Sequence, residues 1–188
     1  MKYLSEYRNL EATKHYLALI EKKITKQWKI MEICVVQNHS LVRNGILELL
    51  PKNVQMIHGP GCPVCVTPVS LIDKAVELLE KEAIVCSFGD MIRVPGSKKS
   101  LLQAKADGGD LRVLYSPLEA VNIAKQNPEK EVVFFAVGFE TTAPANALSV
   151  LHAEKENVRN FSILVSHVLV PPAMEAILAD EFCNIDAF

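Results

Sequence analysis

From Trp28 onward, short apolar runs alternate with helix-like stretches, and this alternation narrows the fold more than any other feature of the chain. The apolar runs fall at 29–34, 54–58, 83–88, 111–115, 131–137 and 161–166. Between them, helix-like patterns fall at 40–50, 68–81, 100–106, 117–126 and 143–156. Continuous apolar runs suit strands covered on both faces, and strands joined by helices make a mostly parallel sheet. The sequence therefore predicts an α/β fold, a mostly parallel sheet flanked by helices (Rossmann-like), with strand-end loops forming the site. Ahead of it, 11–25 places Tyr16, Leu17, Ile20 and Ile24 on one stripe at helical spacing. The expected organisation is an N-terminal helical segment over 1–27, an α/β domain carrying the cysteine loops over 28–160, and the start of a second, incomplete α/β unit over 161–188.

Punctuation along the chain agrees with this reading. Ser116-Pro117-Leu118-Glu119 offers an N-cap serine, a proline at the first helical position and an acid in the first turn. Asn127-Pro128 ends that helix, since proline cannot continue it. Gly108-Gly109 closes the preceding one through glycine's freedom at positive φ. At the other end, Asn184-Ile185-Asp186-Ala187-Phe188 reads as the opening of another strand in which the chain stops. That pattern is expected of a truncated chain or a shortened gene product, the plainer alternative being a frayed tail.

At 188 residues and 49% hydrophobic content, the chain can build a core, so disorder is a poor reading. Twenty Lys and Arg against twenty-two Asp and Glu leave a net charge of −2. Without a basic surplus, a nucleic-acid partner is not expected. Glu6, Arg8 and Glu11 interrupt the start where a signal peptide needs an apolar core. The longest apolar run, 132–137, is far short of the ~20 residues that span a bilayer. The chain reads as soluble and cytoplasmic, with no membrane partner. Five unevenly spaced cysteines argue for reduced thiols rather than a disulfide framework.

In parallel α/β sheets, ligands sit beyond the carboxyl ends of the strands. Four strand-end loops here are rich in chemistry: 34–40 (Cys34, His39), 59–68 (Cys62, Cys65), 89–97 (Asp90, Arg93) and 138–144 (Glu140, Thr141). They are expected to converge at one edge of the sheet. Cys62-Pro63-Val64-Cys65 is the sharpest motif. Two cysteines at this spacing can form a redox pair, with one thiol's pKa depressed, or supply half of a zinc site. Without a second such pair, a closed zinc site needs Cys34 with His39 or His58; the remaining alternative is two inert cysteines. Pro60, Pro63 and Pro68 restrict φ around the thiols and favour a preorganised site. Cys34 reads either as a buried small hydrophobe or as a thiolate ligand. Cys86, inside an apolar run, belongs to the core, and Cys183 has no assigned role. Asp90 with Arg93 is either a surface ion pair or a ligand-orienting pair. Glu140-Thr141-Thr142 is either a capped helix start or an anion-attracting one. His58 and His152 have weaker contexts, and His167 ends the sixth strand.

These loops, in this order, resemble the hydrogenase maturation factor HypD family. The family's Gly-Pro-Gly-Cys-Pro-Val-Cys-Val-x-Pro loop is complete at 59–68, its Phe-Gly-Asp-Met-x-Arg-Val-Pro-Gly stretch at 88–96, and its Gly-Phe-Glu-Thr-Thr-x-Pro turn at 138–144. The spacers Leu49-Leu50-Pro51 and Tyr115-Ser116-Pro117-Leu118 match as well. The resemblance implies a scaffold that, with a small HypC-type chaperone, holds iron during assembly of the Fe(CN)2CO group of [NiFe]-hydrogenase. A HypE-type cyanide donor is a second implied partner. By resemblance, Cys34 is the iron-binding thiolate, and Cys62 and Cys65 form a thiol/disulfide pair that moves electrons. His39, Asp90 and Glu140 line the cleft; Asp90 and Glu140 join the two cysteines as expected catalytic residues, and His39, Arg93 and Thr141 join Cys34 as expected cofactor-binding residues. Soft thiolate sulfur suits iron carrying strong-field ligands. Such a protein is a maturation factor with redox thiols rather than a turnover enzyme.

Two departures stand out. The family's Cys-Gly-Gly-His/Gln-Thr-His loop is Cys34-Val35-Val36-Gln37-Asn38-His39 here. Two β-branched residues in place of glycines predict a different loop shape at Cys34. The family also continues into a second α/β domain and a cysteine-rich region binding a [4Fe–4S] cluster. Five cysteines leave no such quartet, so that cluster is not expected. Two other readings remain: a thiol–disulfide oxidoreductase using the Cys62–Cys65 motif, and a non-catalytic interaction module. Against the first, prolines surround the motif where thioredoxin-like proteins open a helix with it.

Overall fold

A computed structural model describes residues 9–188, apart from the side chains of Val35 and Val36. The early charges at Glu6 and Arg8 lie outside the described residues, as do the Val35 and Val36 side chains that predict a different loop at Cys34. The chain divides into two compact units, Met1–Gly61 with Ala173–Phe188, and Cys62–Pro172. These divisions fall at 61/62 and 172/173 rather than at 27/28 and 160/161.

The second unit alternates helices and strands around one four-stranded sheet. It begins with a single helical turn, α4 (Pro63–Val66), and then α5 (Val69–Glu80), β3 (Ile84–Ser87) and α6 (Leu101–Ala106). After them come β4 (Leu111–Val113), α7 (Pro117–Gln126), β5 (Val132–Phe139), α8 (Ala143–Lys155) and β6 (Phe161–Val168). All neighbouring strands are parallel, in the order β4-β3-β5-β6. β6 pairs with β5 over its whole length, from Val132 opposite Phe161 to Phe139 opposite Val168. That is why the 161–166 run belongs to this sheet.

Successive side chains of a strand point to opposite faces, and both faces here are covered. On one, Ile72, Ala75 and Leu79 of α5 and Leu101 of α6 pack on Val85 and Phe135. On the other, Ala120 and Ala124 of α7 meet Ile84, Cys86 and Phe134. Phe134 and Phe135 are fully buried on opposite faces, each stabilising the fold by roughly 1.5–3 kcal/mol. The alanines of α7 let it approach the sheet closely.

The first unit contains α1 (Leu10–Lys23), β1 (Trp28–Glu32), α2 (Val35–Arg43), α3 (Ile46–Leu49) and β2 (Val54–His58). Asn9 caps α1 through the Ala12 N–H, and Lys22 and Lys23 close it with favourable charge. β1 and β2 are parallel, with Glu32 opposite His58 at their carboxyl ends. Ala187 bridges Ile30 in parallel, and Asp186 accepts from the Lys29 N–H at 2.8 Å, so the 184–188 stretch lies along β1.

Several expectations are corrected. The strands form two sheets rather than one, so the four chemistry-bearing loops do not share a single sheet edge. The helix expected at 40–50 begins at Val35 and breaks where Gly45 takes a positive φ of 64°, open to glycine without strain. Two helices, α4 and α9 (Val170–Leu178), were not anticipated. Ser116 sits at the N-cap of α7, but its side chain makes no capping bond.

Candidate functional site

The order β4-β3-β5-β6 reverses direction between β3 and β5, since the chain leaves β3 for one neighbour and returns on the other side. Such a switch point opens a crevice at the strands' carboxyl ends. Here its two walls are the turns carrying Asp90 and Glu140. Asp90 caps a 3-10 turn, Met91–Arg93, with Oδ1 accepting from the Met91 N–H at 2.9 Å. Arg93 is exposed, and among the described residues no ion pair joins it to Asp90. The surface ion pair considered from the sequence is therefore not formed, because the carboxylate turns back onto its own backbone.

Glu140 opens a second 3-10 turn, Glu140–Thr142, and its Oε2 accepts from the Val170 N–H at 3.1 Å. Thr141 is exposed. Thr142 does not cap α8 with its side chain; its hydroxyl donates to Phe139 O at 2.8 Å instead. Asn146, 2% exposed, places Nδ2 2.7 Å from His167 Nε2. With the amide donating, that ring nitrogen accepts and the imidazole proton sits on Nδ1. The other amide atom, Oδ1, is buried without a partner.

The thiols stand on a turn of helix. Cys62 is the N-cap of α4, Pro63 occupies the first helical position, and the N–H of Cys65 donates to Cys62 O at 2.9 Å. Proline at that position costs no hydrogen bond, so the surrounding prolines permit a helix opening that they were expected to oppose. Cys62 is buried and Cys65 exposed, and their sulfurs are 3.1 Å apart. Below the turn, the Thr67 hydroxyl donates to Pro63 O at 2.7 Å and lies 3.2 Å from Ser166 Oγ, at the end of β6. Val64 packs against the core on the α5 side.

Cys86 is fully enclosed between the sheet and α7, and burial pushes its thiol pKa up to about 12. Cys183 is half-buried. Cys34 and His39 belong to the first unit. Cys34, half-buried, is the N-cap of α2 with an extended backbone (φ −122°), and its carbonyl accepts from the Gln37 N–H. His39 is exposed on α2.

One pair went unrecognised in the sequence. Glu32, 6% exposed, brings Oε1 to 3.0 Å from Nδ1 of His58, and its other oxygen is buried without a partner. A Cβ at Gly59 would collide with the Glu32 carbonyl, so only glycine lets the two strand ends come this close. The available signal was a lone acid closing one apolar run and a histidine closing the next. Among the described residues, no group of three or more His, Cys, Asp or Glu could hold a metal ion. No described helix is long and apolar enough to cross a membrane.

Fold and site together define a parallel α/β protein with a Cys-x-x-Cys thiol pair at the head of its main unit and two carboxylates at the sheet's switch point. The family model HypD, described as "Hydrogenase formation hypA family", matches residues 11–188. The hydrogenase maturation factor HypD of Azotobacter vinelandii is 48% identical over 183 residues, covering 95% of this chain and 48% of that protein. Those of Rhodobacter capsulatus and Escherichia coli are 45% and 41% identical over 196 residues, each covering 100% of this chain and 52% of the relative. The chain belongs to the HypD family of hydrogenase maturation factors, and it spans about half the length of these curated relatives.

Proposed function

We propose that the chain acts in metallocentre assembly as a scaffold that carries iron as cargo while cyanide and carbonyl ligands are added, for delivery to a [NiFe]-hydrogenase. Cys34 supplies the thiolate that holds the iron. Cys62 and Cys65 exchange between dithiol and disulfide, and so donate or accept two electrons. A HypC-type chaperone and a HypE-type cyanide donor are the partners. Thiolate sulfur is a suitable donor for low-spin iron. The observation that carries the reading is the sulfur pair 3.1 Å apart on a turn preorganised by Pro63, in a chain of this family.

The test is anaerobic co-purification of the chain with a HypC-type chaperone, followed by infrared spectroscopy. Cyanide and carbonyl stretching bands are expected in the wild-type complex and absent in C34A. Equal bands in C34A overturn the assignment of Cys34.

A second reading, general thiol–disulfide oxidoreduction, draws support from the helical turn that the thiols open. Insulin reduction separates the two. Robust turnover by the chain alone favours the oxidoreductase, and none is expected of the scaffold.

A further inference from the structure

The turn that carries the two thiols is fastened at both ends of its sequence and once from far along the chain. Locally, Cys62 O accepts from the N–H groups of Cys65 and Val66 at 2.9 and 3.1 Å. Thr67 then closes the turn by donating its hydroxyl to Pro63 O at 2.7 Å. A threonine hydroxyl has one hydrogen, and Pro63 takes it. The hydrogen of the 3.2 Å contact between Thr67 Oγ1 and Ser166 Oγ is therefore supplied by Ser166. Both residues are 7% exposed, so water cannot readily replace either bond. Nothing in the motif around Cys62 points to residue 166, which lies 99 positions away.

We propose that Ser166 is a positioning residue for the Cys62–Cys65 couple, acting through Thr67 and the Pro63 carbonyl. The inference rests on the reading of these cysteines as a redox pair. Pro63 is the residue next to Cys62 in the turn, and fixing its carbonyl fixes the path between the sulfurs. Joining them requires closure from 3.1 Å to about 2.05 Å. A turn held near that geometry loses less conformational freedom on closure, which raises the effective concentration of one thiol at the other. The serine therefore favours the disulfide over the dithiol.

The reaction that measures this is exchange with glutathione disulfide. One cysteine thiolate attacks a glutathione sulfur and expels a glutathione thiolate, leaving a mixed disulfide. The second cysteine attacks the protein-side sulfur and expels the other glutathione. Two electrons pass from the cysteines to glutathione, and the two protons end on the released glutathione thiols.

The experiment equilibrates the full chain in glutathione buffers, traps it with acid and alkylates it. Digestion after lysine gives a peptide, 53–74, that contains both cysteines, and its mass reports the oxidised fraction. Ser166→Ala and Thr67→Val are each expected to lower the oxidation equilibrium constant about three- to tenfold, the range of one buried hydrogen bond. Tenfold corresponds to about 30 mV for a two-electron couple. The double variant should match Thr67→Val alone, because Ser166 acts only through the Thr67 hydroxyl that this variant already lacks. Thr67→Ser, which keeps the hydroxyl, should remain at the wild-type value.

Melting temperatures are read separately. A fall in melting temperature with an unchanged equilibrium constant overturns the inference and leaves Ser166 a packing residue. Loss of the wild-type value in Thr67→Ser overturns it too. A wild-type chain in which Cys62 and Cys65 never join at any glutathione ratio overturns the redox reading itself, and this inference with it. Thr67→Val carries the comparison if Ser166→Ala does not fold.

Discussion

At the scale of single residues, the five cysteines have one chemistry and different fates. Cys65 is exposed at the head of α4, whereas Cys86 is enclosed beneath α7 with its pKa raised to about 12 by burial. A thiol that cannot ionise does not alkylate. In a timed iodoacetamide reaction near pH 8, Cys65 is expected to label early and Cys86 only after denaturant is added. Early labelling of Cys86 in the folded chain would show that the sheet opens on that face. Under mild oxidant, mass mapping is expected to find Cys62 joined to Cys65 while Cys34 remains reduced. A bridge from Cys34 to either of them would break the pair assignment. Cys86 was legible as a core residue because it lies within 84–88, an apolar run. The split between buried Cys62 and exposed Cys65 was not, since two residues on one turn differ only by what packs beneath them.

At the scale of elements, two single residues hold the turns that frame the sheet. Asn160 precedes β6, and its Nδ2 donates to the carbonyls of Ala124, Asn127 and Lys130, closing the end of α7. Asn160→Ala is expected to cost about 1–3 kcal/mol by removing the one side-chain donor that these carbonyls share. Asn160→Asp should cost more, because a carboxylate would face three carbonyl oxygens. Urea titration of the three proteins checks the order. Gly138 marks the opposite end of β5, where a Cβ would collide with Thr142 Oγ1. Gly138→Ala is expected to destabilise by about 1–3 kcal/mol, as overpacking does, and to displace the turn carrying Glu140. One source of acid sensitivity lies at β4. Arg112 donates to Asp110 through two nitrogens, at 2.7 and 2.9 Å, and holds its carboxyl below the usual range. A carboxyl whose folded pKa is depressed stabilises the fold above its unfolded value of about 3.9, and this is lost as pH falls through the folded value. Asp110→Asn should therefore flatten the loss of stability below pH 4, as read by denaturant midpoints. An unchanged acid limb would remove the pair from the account.

At the scale of the whole molecule, the two units differ in how much they bury. In the second, β3 and most of β5 are fully enclosed, whereas Glu32 is the one residue classed as buried among the described residues of the first. Protection from exchange follows burial and enclosed hydrogen bonding. Hydrogen exchange on the full chain is expected to protect the amides of β3 and β5 longest, with β1 and β2 exchanging well before them. Equal protection in both sheets would mean that the first unit gains stability from something other than its own core.

The sequence by itself determined the α/β class, the positions of the strands and most helices, and the motifs that mark the HypD family. Those properties are local: apolar runs, caps and strand-end loops are written in consecutive residues. The division into two sheets, with Cys34 and His39 in the first unit and the thiol pair and carboxylates in the second, depended on which strands paired. Apolar runs of similar length carry no label for their neighbours. The roles of Ser166, Asn146, Asn160 and Glu32 were likewise decided only by tertiary structure. Each is a lone polar residue without a periodic signal, and its partner is chosen by the fold that brings a distant donor or acceptor to within 3 Å or so of it.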